Sequence, residues 1–181
     1  VGAWKWWEGL GVLENGVINF DEIPSLIKAN TKAIVITHAS NVTGNITDLK
    51  KYGDFCRNNN LLFVVDASQT AGAFNIDMKE MNIDVLCFTG HKSMLGPQGT
   101  GALCVREEVY IRPFMVGGSG THSYDEFQPD KMPTRIEAGT LNSHGIAGLH
   151  ASIDYILRNK MENLTNKAME LARKFYDGVT K

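Results

Sequence analysis

Apolar and polar positions fall into blocks along this chain, and the period of the pattern changes from block to block. "AIVITH" (33–38), "LLFVVDAS" (61–68), "IDVLCFTG" (83–90) and "GALCVR" (101–106) are near-continuous apolar runs, and the first is strongly β-branched. Such runs predict strands covered on both faces. Between the first two, "DLKKYGDFCRNNN" places Leu49, Tyr52, Phe55 and Cys56 on one helical face and stops in an asparagine cluster. Upstream, "GVINFDEIPSLIKANTK" predicts a short strand and then a helix that Asp21 can cap. "SNVTGNIT" is a break, and "FNIDMKEMN" is too short and polar for more than a helical turn or two. Strand, helix, strand with apolar strands predicts an α/β domain with a mainly parallel sheet and right-handed crossovers.

The pattern changes after the fourth run. From Glu107 to Arg135 the chain is irregular and rich in Gly, Ser, Asp and Pro, which points to a functional loop or part of an interface. "SHGIAGLHASIDYILRN" then predicts a helix with Ile146, Leu149, Ile153 and Ile156 on one stripe. "KMENLTNKAMELARKFYDGVTK" predicts a second amphipathic helix, whose apolar residues Leu164, Ala168, Leu171 and Phe175 need a partner. The opening "VGAWKWWEGLGV" has no initiator Met and begins in mid-pattern, so a longer parent chain is expected.

Composition narrows the function classes. The chain has 181 residues, 43% hydrophobic and 21% charged, with a net charge of −2. There is no basic run to recruit nucleic acid and no apolar stretch long enough to span a membrane. Cys56, Cys87 and Cys104 have no paired spacing, so neither a disulfide framework nor a metal site is expected, and a cytoplasmic location is favoured.

Ligands of parallel α/β sheets gather at the C-terminal ends of the strands. The residues there are His38, Ser40 and Asn41, then Asp66 and Gln69, then Thr89, His91 and Lys92. Lys92 can serve as a neutral amine that attacks a carbonyl if its site is desolvated, or as a point charge for phosphate. Asp66 can cap the following turn, bind a metal, or hold a protonated heterocyclic nitrogen. Gln69 and Asn41 can donate to a ligand oxygen or make local turn bonds. Thr89 and His91 alternate in an extended chain, so they point to one side and make a candidate phosphate cradle. The glycines of "GPQGTG" fit neither a Walker loop nor a dinucleotide fingerprint.

"THASNVTGNI", "VVDASQTAG", "DVLCFTGHKSMLGPQGTGAL" and "RIEAGTLN" occur in this order. Together they resemble the class V aminotransferase family, on the side of the cysteine desulfurases and selenocysteine lyases, over roughly residues 12–160. The resemblance implies the three-layer α/β/α large domain of a fold type I enzyme dependent on pyridoxal 5'-phosphate (PLP). It implies that Lys92 is the Schiff-base lysine and that Asp66 faces the pyridinium nitrogen. Gln69 would bond the ring oxygen, Thr89 and His91 the phosphate, and His91 could also help in acid/base steps. Asn41 would lie near the ring oxygen and the substrate carboxylate. Thr140 would reach the cofactor phosphate of a second subunit, which implies a homodimer. The expected substrate is L-cysteine, with a sulfur-acceptor protein as partner.

Family chains are about twice this length, and the expected division follows from that. Residues 1–158 would be a partial PLP-binding domain, and 159–181 a helix leading into a small C-terminal domain. The arginine for the substrate carboxylate and the sulfur-accepting cysteine would lie outside this chain, since none of Cys56, Cys87 and Cys104 matches the latter. The chain alone is therefore expected to be inactive. Another class V aminotransferase or lyase, or a silent dimerisation or assembly fragment, is the alternative reading.

Overall fold

The structure, a computed structural model, describes residues 9–120 and 124–180. Trp4, Trp6 and Trp7 lie outside them.

The four apolar runs are four strands: β1 (Ala33–Thr37), β2 (Leu62–Asp66), β3 (Val85–Thr89) and β4 (Gly101–Val105). They lie side by side in chain order. β1, β2 and β3 are parallel and β4 returns antiparallel to β3. The register sets Val35, Val64, Val85 and Val105 in one row, and Thr37, Asp66, Cys87 and Leu103 in another. Side chains alternate between faces along a strand, so both rows share one face.

The other face carries the core. Ile34, Ile36, Phe63, Val65 and Leu86 pack there with Leu49, Tyr52 and Cys56 of α2 (Leu49–Asn58). Asp48 starts α2 by accepting from the Lys51 N–H at 3.1 Å, and the chain leaves it through Asn60 at φ +55°. Gly53 sits inside this helix for a packing reason. A Cβ there would stand 1.8 Å from the Met81 carbonyl oxygen. Phe20 closes the outer rim of α2, edge-on to Tyr52 and Phe55 with ring centroids at 4.9 and 5.7 Å.

The starts of β2 and β3 are tied to the end of β4 by Asp84, a buried carboxylate. Its Oδ2 accepts from the Phe63 N–H at 2.8 Å, and its Oδ1 lies 2.9 Å from Arg106 Nη1. Asp84 also acts on Cys56. Burial first, then the Asp84 charge, pushes the Cys56 thiol up to about 12. Thiol labelling of the folded protein is expected to spare Cys56 until urea unfolds the chain, because the reactive thiolate is almost unpopulated at neutral pH. Labelling at the rate of a free thiol under native conditions would contradict this.

Three expectations change. The strands are not covered on both faces. Burial alternates along β1, and Val35 is 67% exposed. The row closes over toward the middle of the sheet: Val64 and Val105 are half-buried and Val85 is buried. The α/β class stands, with that face of the sheet open at its two edges, at Val35 and Leu103. Second, Asp21 is not the cap. Asn19 accepts from the Asp21 N–H, and Asp21 lies inside a 3-10 turn, Phe20–Glu22. Pro24, which lacks an N–H, then fits the first turn of the short helix α1 (Ile23–Leu26). The strand expected before it is one bridged pair, Val12 with Ile18, closed by a turn in which Gly16 takes φ +76°.

Third, the two C-terminal helices bury less than their stripes suggest. α3 (Ser143–Asn159) buries Gly145, Leu149 and Ile156 and leaves Ile146 half exposed. It packs through Leu149 and Gly148 on the segment Gly90–Pro97. α4 (Met161–Val179) starts after Lys160 at φ +60° and buries no residue fully. Its Leu171 and Phe175 are exposed, and it is anchored by Thr165 Oγ1, which donates to the Ala73 carbonyl at 2.7 Å. Of the stretch from Glu107 to Arg135, the described residues are irregular as expected, until a 3-10 turn begins at Thr134. Arg135 lies over the Tyr110 ring at 4.6 Å, and Gln128 donates to the Thr134 carbonyl at 2.8 Å. Among the described residues no helix is long and apolar enough to cross a membrane.

Candidate active site

Asp66 closes β2. Its Oδ1 accepts from the Ser68 N–H at 2.9 Å, so one oxygen starts the next turn, which was one of the open readings. No hydrogen bond reaches Oδ2 among the described residues. From here the chain coils: Thr70 and Ala71 both donate to the Ala67 carbonyl, at 2.9 and 2.8 Å. Ala67, Thr70 and Ala71 are buried, and Gln69 is half-buried on the same coil.

The coil rests on the segment that carries Lys92. Gly72 takes φ +85°, and a Cβ on it would lie 2.5 Å from the Ser93 carbonyl oxygen. Only a residue without a side chain allows that approach. The Lys92 segment is itself a tight turn. Gly96 N–H donates to the Gly90 carbonyl at 2.7 Å, and Leu95 N–H to the Lys92 carbonyl at 2.9 Å. Gly90 N–H donates to the Thr100 carbonyl at 2.8 Å, which clips the turn to β4.

Thr89 ends β3 on the face that bears Asp66, two residues past its register partner Cys87. Its Oγ1 is 2.7 Å from His91 Nδ1, so the pair predicted to share a side is in contact. Asp66, Gln69, Thr89, His91 and Lys92 thus gather at the C-terminal ends of two adjacent parallel strands. Asn41 stands exposed at the end of β1, in a turn held by Ser40 Oγ, which accepts from Val42 and Thr43 N–H groups. Thr140 is exposed on a separate loop. That loop is tied to the glycine-rich segment by Asn142 Nδ2, which donates to the Gly99 carbonyl at 3.4 Å.

The desolvation supposed for Lys92 is absent. Lys92 and His91 are exposed, because the uncovered sheet face runs up to their turn. Cys87 is the opposite case. Burial, then the charge of Asp66 and the neighbouring Cys104, raises its thiol pKa, which keeps it protonated and a weak nucleophile. The residues fit PLP in kind: an amine for its aldehyde, a carboxylate for its ring N–H, and a hydroxyl beside an imidazole for its phosphate. A cavity of about 220 Å³ lined by Arg57, Asn82, Asp84 and Arg106 lies at the other end of the sheet and is not part of this group.

Sequence reasoning placed His38 at a strand end without a task. In the structure it is 6% exposed, and its Nδ1 is 2.8 Å from Oγ1 of Thr70, which is 1% exposed. Thr70 escaped attention altogether. Its only signal is its place four residues after Asp66, on the inner side of the coil.

A mainly parallel sheet with helices beside it, and polar side chains gathered at adjacent strand ends, defines an α/β enzyme scaffold. The chain belongs to the class V aminotransferase family: the profile described as Aminotransferase class-V matches residues 8–181. A probable cysteine desulfurase of Methanothermobacter thermautotrophicus is 33% identical over 171 residues, covering 92% of this chain and 43% of that protein. The apo structure of a cysteine desulfurase from Thermococcus onnurineus NA1 superposes with a TM-score of 0.84 at 32% identity, covering 96% of this chain and 44% of that one. The cysteine desulfurase CsdA from Escherichia coli gives 0.85 at 29% identity, covering 95% and 44%. The chain therefore spans less than half the length of these relatives.

Proposed function

We propose that this segment is the cofactor-binding part of a PLP-dependent cysteine desulfurase, which converts L-cysteine to L-alanine and passes the sulfur to a thiol. The observation that carries the reading is the seating of the Asp66 coil against the Lys92 turn through Gly72 and Ser93. It couples a carboxylate and an amine on adjacent strands, beside a hydroxyl–imidazole pair. The relatives and neighbours named as cysteine desulfurases support the choice of substrate.

In this reading Lys92 would bind PLP through its aldehyde, and its amine would move the proton at the substrate α-carbon. Bound PLP supplies the electron-accepting ring that makes this proton removable. Asp66 keeps the ring nitrogen protonated through its free oxygen, and Gln69 donates to the ring oxygen. Thr89 and His91 hold the phosphate, while Asn41 lies near the ring oxygen and the substrate carboxylate. Thr140 serves the phosphate site of a second copy, so the working unit is a homodimer. Residues up to 158 form the PLP-binding domain, and α4, set off at Lys160, leads into a second one. Its unpaired thiols suit a reducing compartment such as the cytoplasm.

The test is to supply the longer protein that carries this segment with PLP, cysteine and a thiol reductant, and to measure alanine and sulfide. Both should appear in equal amounts. The 181-residue chain alone should release neither, because none of Cys56, Cys87 and Cys104 matches the sulfur-accepting cysteine. Transamination of another amino acid, or turnover of selenocysteine alone, would replace the desulfurase reading by another class V reaction. Bound PLP with no reaction would favour an assembly role.

A further inference from the structure

We propose that His38 is a positioning residue, one that holds the Asp66–Gln69 coil in place through Thr70 and so keeps the Asp66 carboxylate aimed at the cofactor ring nitrogen. The inference rests on the function proposed above.

An imidazole at a buried strand end needs a reason. A buried polar group without a partner destabilises the fold, and an apolar side chain would fill the space without that risk. The partner is Thr70, whose own burial leaves no water to replace the ring. Phe74 closes the other side, edge-on at 6.1 Å between ring centroids. The threonine hydroxyl can give or take a hydrogen bond, so either neutral tautomer serves. Burial lowers the His38 pKa, which keeps the ring neutral at physiological pH.

The backbone repeats the tie. His38 N–H donates to the Asp66 carbonyl at 2.9 Å, and Thr37 Oγ1 reaches the same oxygen at 3.4 Å. Thr37, the last residue of β1, holds the coil at Asp66, and His38, the next residue, holds it at both Asp66 and Thr70. Gly72 presses the coil on its far side against Ser93. The coil is a clamped piece between β1 and the Lys92 turn. Only the imidazole arm of that clamp can be removed without touching the site residues. Binding groups of this kind need to be held to within about 0.5 Å.

The experiment compares His38→Leu, His38→Asn, Thr70→Val and the His38→Leu/Thr70→Val pair in the longer protein. The readouts are amide hydrogen exchange at Thr70 and Ala71 without PLP, and the pH midpoint of the visible absorption of protein-bound PLP. His38→Leu is expected to speed exchange at those amides by about tenfold relative to β3 amides. It is also expected to move the pH midpoint upward by about one unit, as the carboxylate loses its hold on the ring proton. His38→Asn, whose amide can give or take, should restore both. Thr70→Val should match His38→Leu, and the pair should add nothing further. Unchanged exchange and midpoint in His38→Leu and Thr70→Val, or additive effects in the pair, would overturn the proposal. If His38→Leu does not fold, Thr70→Val carries the same two measurements alone. Absence of visible absorption in the unsubstituted protein would sink the proposed function itself, which separates that failure from a fault in the positioning role.

Discussion

Replacing Lys92 by alanine removes the visible absorption of bound PLP and lowers cysteine turnover by about a thousandfold or more. The size of the effect follows from the chemistry: no other amine stands at the end of β3 to take the place of Lys92. Its specificity follows from exposure. Lys92 is exposed, and its amine makes no hydrogen bond or ion pair among the described residues. Truncation therefore leaves no cavity and no orphaned partner, and the unfolding midpoint should stay where it was. Lys92→Arg decides between the two tasks a lysine could have here. An arginine keeps the positive charge but is never deprotonated in proteins. If Lys92 serves as a phosphate charge, the arginine variant retains cofactor. If it acts as a nucleophile, the arginine variant is as inert as the alanine one. Retained absorption in both variants would end the assignment.

The second large effect is structural and reverses a general rule. Glycine to alanine inside a helix usually stabilises, by about 1 kcal/mol. At Gly53 the same change is expected to destabilise the protein by about 3 kcal/mol or more. The added methyl carbon would stand 1.8 Å from the Met81 carbonyl oxygen, a backbone atom with little freedom to move. Nor can α2 retreat, because Leu49, Tyr52 and Cys56 fix it to the sheet. Urea unfolding of Gly53→Ala against the unsubstituted protein measures the difference. A variant of equal or greater stability would show that the turn at Met81–Asn82 gives way easily.

What the sequence disclosed, and what it withheld, divides by the range of the interaction. The strands and α2 depend on neighbours a few residues away and were readable from pattern. So was the contact of Thr89 with His91, since alternation along an extended chain is enough to bring them together. The bond from His38 to Thr70 spans 32 positions and had no local signature. Asp21 does not cap α1 because a 3-10 turn, capped by Asn19, precedes the helix and takes Asp21 into itself. The openness of the valine row was illegible for another reason: an apolar strand face looks the same in a sequence whether or not a second layer meets it.

That open face has a bearing on the chemistry itself. Field strength around a charged group depends on the medium on every side of it, and on one side of Asp66 that medium is water. Whatever layer comes to rest on Val35 and Leu103 replaces this solvent with a low-dielectric wall. Charges at the strand ends would then act on one another more strongly, through a neighbour that supplies no reacting atom.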